Sequence, residues 1–262
     1  TFTASAASIS DLNTDVDFLN LVLTGAGDLA VTEADGVSVG TVTIANGSFN
    51  LTAGGDIDVT GGITSQTDSD SNDITLDATG SITTMSATLD AGQLGDVDLT
   101  ATTGLNLVIT ADVVTVGTSG DVVLDGEINT VAVTMAGDGD ITLTDSDDLT
   151  LDYIVSAYVG DLSVETVGAL TLDRTTGSGN AVELQGTVDL TVSGVADLTL
   201  NDSLTSVGGT VTLASAGGVV LNGSSAITTD NTVEITAGAD GITMADGTLI
   251  DAGSGTITMT AG

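Results

Sequence analysis

The chain has no cysteine, proline, histidine, tryptophan or lysine, and Arg174 is its one side-chain cation. Without Cys or His there is no disulfide framework, no zinc site and no Ser–His or Cys–His nucleophile. Without Lys there is no Gly-Lys-Ser/Thr phosphate loop. A net charge of -36 repels nucleic-acid phosphates and an anionic lipid surface. No apolar run reaches membrane-spanning length. Neither a nucleic-acid partner nor membrane insertion is therefore expected. With three Phe and two Tyr, the apolar walls of a substrate pocket are scarce, and the chain is read as not an enzyme. The absence of proline suits strands that pair on both edges, because proline removes a ladder donor.

Val, Ile and Thr, which favour strands, alternate with the Gly and Asp of turns. Stretches of alternating polar and apolar residues recur: DIDVT from Asp56, DITLD from Asp73, DVDLT from Asp96, DVVLD from Asp121, DITLT from Asp140 and DLSVE from Asp161. TVDLT from Thr187, TVTLA from Thr210, TVEIT from Thr232 and TITMT from Thr256 continue the series. The mean step is roughly 22 residues, a period that marks a solenoid. A second strand follows at a nearly constant offset, starting at Ser81, Gly104, Thr130, Asp148, Ala169, Asp197, Gly218 and Gly241. A third, looser strand starts near Ser86, Ala181, Ala226 and Thr248. Alternation puts Ile74, Leu76, Val97, Leu99, Ile141 and Leu143 on one face, which a single coil cannot bury alone. The expected fold is all-β: a right-handed parallel β-helix, or β-solenoid, of about 12 coils with two to three strands each. Residues 1–39 show no clear register and are expected to form irregular coils or a cap; residues 40–262 are expected to form one continuous solenoid domain.

The units GDITLT, GDLSVE, GGTVTLA and GSGTITMTAG resemble the repeats of filamentous-haemagglutinin-type bacterial exoproteins. The resemblance covers about residues 40–262. It implies a secreted β-helix at the cell surface, serving as an adhesin or fibre shaft, and it carries over no catalytic residue.

Calcium is the cofactor to consider. Asp68, Asp70, Asn72 and Asp73 place oxygens at alternating positions, as loops for hard cations do, although the closing Glu and the Gly of an EF-hand are missing. Asp145, Asp147 and Asp148 form a second acidic turn. Asp also favours turns by bonding its own backbone, so these residues equally fit solvated corners. Outward positions read Asp56, Asp73, Asp96, Asp121, Asp140 and Asp161 and then switch to threonine, with Thr75, Thr142, Thr212 and Thr258 in the next column. Arg174 is expected to pair with an acid such as Asp173 or one on the next coil, and Tyr153 and Tyr158 to form a local packing cluster. The expected function is structural: an extracellular fibre or adhesin segment that stacks end to end or continues a longer chain, with a surface receptor or carbohydrate as a further partner. The alternatives are a calcium-dependent binding module, an ice-binding solenoid and a surface-layer subunit.

Overall fold

The computed structural model describes residues 1–7, 9 and 11–262. The described residues contain no helix; parallel strands stack into a β-solenoid of about 12 turns with about 21 residues per turn. The chain forms two compact units, Thr1–Ile128 and Asn129–Gly262, and the boundary falls inside the strand Val122–Met135.

In the C-terminal unit each coil contributes to three columns. The first column runs Ile141–Asp145, Leu162–Thr166, Val188–Val192, Val211–Ser215, Val233–Ala237 and Ile257–Ala261, each pair parallel and in register. The second runs from the first half of Leu149–Ser156 through Leu170–Leu172, Leu198–Leu200 and Gly218–Leu221 to Gly241–Met244. The third runs from the second half of Leu149–Ser156 through Val182–Leu184, Leu204–Ser206 and Ala226–Thr229 to Leu249–Asp251.

The N-terminal unit has the same plan. Its first column is Asp11–Thr14, Leu29–Glu33, Phe49–Ala53, Ile74–Ala78, Val97–Ala101 and residues 114–118. Its other two columns share long strands, among them Phe18–Ala26, Val37–Asn46, Ile82–Asp90 and Leu105–Thr118. Ile57–Val59 and Ile63–Ser65 are the two columns kept as separate strands. Within residues 1–39, Phe2–Ala6, Asp11–Thr14, Phe18–Ala26 and Leu29–Glu33 already pair in parallel with the following coil.

The inward set expected from alternation (Ile74, Leu76, Val97, Leu99, Ile141 and Leu143) is buried. Two strands change column. Ile57–Val59 pairs with Val37–Val39 and with Ile82–Thr84, so DIDVT lies in the second column; Phe49–Ala53 is the neighbour of Ile74–Ala78. Val97–Ala101 is followed in its column by residues 114–118, and not by the strand after Asp121. Every column demands the same alternation, so the pattern identifies a strand without saying which side of the coil it occupies.

Glycine sets the closest approach between coils. At the corner before the first column of the C-terminal unit, Gly160, Gly186 and Gly209 stack upon one another. A Cβ on Gly160 would lie 1.9 Å from the Gly139 carbonyl oxygen, and one on Gly209 would lie 2.0 Å from that of Gly186. Only hydrogen fits there at the spacing of a parallel ladder.

Candidate functional site

The acids that precede the strands have a common task. The residue entering a strand donates its backbone N–H to the side chain of its counterpart one coil earlier. In the C-terminal unit Asp140 accepts from Asp161 at 2.9 Å and Asp161 accepts from Thr187 at 2.7 Å. At the second column Asp148 accepts from Ala169 and Asp197 accepts from Gly218, both at 2.6 Å. At the third, Ser203 Oγ accepts from Ala226 at 3.1 Å. In the N-terminal unit the run is continuous: Asp28 accepts from Ser48, Ser48 Oγ from Asp73, Asp73 from Asp96, and Asp96 from Val113. Asp56 accepts both the N–H and the hydroxyl of Ser81, at 2.7 and 3.0 Å. At these corners a short side chain carrying an acceptor supplies what an N-cap supplies to a helix.

This ladder needs an acceptor and does not need a charge. Asp161→Asn keeps an oxygen for the Thr187 N–H and is expected to leave thermal stability nearly unchanged. Asp161→Ala is expected to cost on the order of 1 kcal/mol. Equal melting temperatures for the two variants would contradict the assignment.

Two corner acids depart from ordinary titration in opposite senses. The backbone N–H of Ser81, and then its hydroxyl, hold the Asp56 carboxyl below the usual range. Its stabilising contribution is present above the pKa of an unfolded aspartate and is lost as pH falls through the lowered folded value. Asp96 is pushed up, first by burial and further by Asp73, Asp112 and Asp98, against the opposing bond from Val113. Its charge therefore opposes folding at neutral pH, and protonation relieves the cost as pH falls through the raised value. Asp96→Asn is expected to raise the melting temperature at neutral pH, with the gain disappearing in acid; paired melts across pH read both.

The seven residues expected to hold calcium are spread among corner duties. Asp68 accepts from the Leu94 N–H at 2.8 Å, and Asp70 is exposed. Asn72 is 1% exposed and turns its amide nitrogen inward, donating to Asn46 Oδ1 at 3.0 Å and to the Thr67 carbonyl at 2.7 Å. Asp73 belongs to the ladder. Asp145 is buried and accepts from the Asp147 N–H at 2.8 Å, Asp147 accepts from Asp148 at 3.0 Å, and Asp148 accepts from Ala169. Among the described residues, the group of three carboxylates with ligand atoms within 4.8 Å of one another is Asp15, Glu33 and Asp35. Glu33, 2% exposed, accepts from the backbone of Val16 and Ala34, each at 3.0 Å, and from the Thr14 hydroxyl. The following coils carry Ala53, Ala78 and Ala101 at its place in the column. An acid at a strand's inward position was the sequence signal for this group.

The threonine column is interrupted by acids, as the sequence indicates: in the C-terminal unit it reads Thr142, Ser163, Asp189, Thr212, Glu234, Thr258.

The two longest steps between paired strands in that unit, from Leu170 to Leu198 and from Ile154 to Val182, both contain a loop over residues 173–181. Arg174 does not take the expected partner. Its Nε donates to the Thr176 carbonyl and its Nη1 to that of Asn180, both at 2.9 Å, and its guanidinium lies 5.2 Å from the centre of the Tyr153 ring. Asp173 instead accepts from Asn201 Nδ2 at 3.0 Å. From below, the buried Asp152 accepts the backbone N–H and the hydroxyl of both Thr175 and Thr176. Tyr158 stands exposed, its N–H donating to Ser156 Oγ at 3.1 Å. A loop turned back on itself offers Arg174 carbonyls at close range, which a linear reading of LDRTTGSGN does not reveal.

Coils joined by backbone ladders on three sides, and by side-chain acceptors at the corners, define a β-solenoid repeat protein. The chain matches no family model, no curated protein and no solved structure.

Proposed function

We propose that this chain is a structural segment of an extracellular bacterial fibre or adhesin shaft. The observation that carries the reading is the corner ladder: its polar side chains are engaged in joining one coil to the next, in both units. The resemblance of the repeats to haemagglutinin-type exoproteins supports it. So does the excess of acid, which suits a chain facing salt or divalent cations. The strand Ile257–Ala261 adds a second support. Its inward residues Ile257 and Met259 are 46% and 42% exposed, whereas Val233 and Ile235, with which they pair, are buried. Exposed apolar side chains on a parallel strand suit pairing with a second copy of this chain.

Electron micrographs and sedimentation of the purified chain test the reading. Filaments are expected, and Ile257→Lys with Met259→Lys is expected to shorten them sharply. A monodisperse monomer whose Ile257–Ala261 amides exchange as slowly as those of Val233–Ala237 would overturn it.

A further inference from the structure

Two Asn-Gly pairs occur in the chain, Asn46–Gly47 and Asn222–Gly223, and their surroundings differ. Asn222 and Gly223 are both exposed, in the turn that follows the strand Gly218–Leu221. The Gly223 N–H has no acceptor among the described residues. The carbonyl oxygen of the same peptide unit, that of Asn222, accepts two bonds from the buried Ser225: its N–H at 3.1 Å and its hydroxyl at 2.7 Å. When an amide nitrogen loses its proton, the negative charge passes to its carbonyl oxygen. Two donors already placed on that oxygen stabilise the anion, as an oxyanion hole does. Around Asn46 the carbonyl and the side chain are held differently. Its carbonyl accepts one bond, from the Gly27 N–H at 2.8 Å, and its side-chain oxygen is held by the buried Asn72. Gly47 is buried against the Gly27 backbone.

We propose that Asn222–Gly223 is a self-modification site at which Ser225 promotes deamidation. The Gly223 nitrogen, its proton taken by hydroxide, attacks Asn222 Cγ. The new N–Cγ bond closes a succinimide ring, and the Cγ–Nδ2 bond breaks to release ammonia, which gains a proton from water. Water then opens the ring at either carbonyl, leaving aspartate or isoaspartate. The product carries one added negative charge. It also loses the amide donor that Asn222 gives to Asn201 Oδ1 at 2.7 Å, the end of an exposed column that runs on through Asn201 to Asp173. Isoaspartate lengthens the backbone directly beside the bond from the Asn222 N–H to the Leu200 carbonyl. The reaction thus marks the age of the chain and loosens this corner.

The full chain, incubated in mildly alkaline buffer and followed by peptide mass mapping, tests this. Asn222 is expected to convert severalfold faster than Asn46 while the chain is folded, and at an equal rate in urea. Ser225→Ala is expected to slow Asn222 severalfold without changing the dependence on hydroxide, and Ser225→Thr to restore much of the rate. Circular dichroism confirms that the variants fold, and the urea comparison stands if one does not. Asn222 reacting no faster than Asn46 in the folded chain, or at an unchanged rate in Ser225→Ala, overturns the proposal.

Discussion

Replacing Asp152 with alanine is expected to release the 173–181 loop and to destabilise the C-terminal unit by about 3 kcal/mol. The carboxylate is 3% exposed and accepts four hydrogen bonds, two from backbone amides and two from hydroxyls. Its removal leaves those four donors without their acceptor. Water reaches some of them, because Thr175 and Thr176 are exposed, and this keeps the cost below the sum of four lost bonds. Burial alone would raise the Asp152 pKa, but the bonds from Thr176 and Thr175 outweigh it and hold the carboxyl below the usual range. The folded pKa therefore lies under the unfolded one. The contribution is full above the ordinary carboxyl range and vanishes as pH falls through the lowered value. Denaturant unfolding should show the gap between the native chain and Asp152→Ala closing in acid. Amide exchange at Thr175 and Thr176 should accelerate in the variant while Leu190 stays protected. Unchanged exchange at both threonines would remove Asp152 from its role.

Gly160→Ala is the second large effect, expected to cost about 3 kcal/mol through overpacking. The added methyl meets backbone, the Gly139 carbonyl oxygen at 1.9 Å and its carbon at 2.9 Å, and no side chain there can rotate away. Relief requires two coils to part, against ladders on either side. Gly117→Ala is the matched control. It lies in the strand Leu105–Thr118 with nothing within 4 Å of the added atom, so stability should hold or rise by up to about 0.5 kcal/mol. Thermal melts of the two variants decide between close approach and mere glycine content. Similar losses in both would contradict the packing reading.

The contrast shows what the sequence discloses. Alternation reports which side chains point inward, so the core residues and the solenoid class are legible in single strands such as Ile74–Ala78. Column membership depends on the length of the coil between strands, which varies from 17 residues between Val97 and Val114 to 28 between Leu170 and Leu198. A repeat found by pattern alone therefore misplaces DIDVT and DVVLD. The acids are visible, but their partners are not. Asp161 bonds a residue 26 positions on and Asp140 one 21 positions on, distances that only the folded coil equalises. Asp68, Asp73 and Asp148, read as cation ligands from spacing along the chain, each spend one oxygen on the next coil. Glu33 and Asp35 come close to Asp15 because the first coil stacks beneath the second.

The corner ladder also has a sense: at the rungs from Asp28 to Ser203 the acceptor stands on the earlier coil and the donor on the later one. Under load this makes the molecule a ratcheted tape. Where the corners carry acids, as at Asp140, Asp148, Asp161 and Asp197, a departing coil breaks its corner bonds together with its three strand edges, and the coil left behind keeps its carboxylates in place along the new edge. Rewinding thus begins from a prepared surface, and extension by force should proceed in repeated, reversible steps of one coil each.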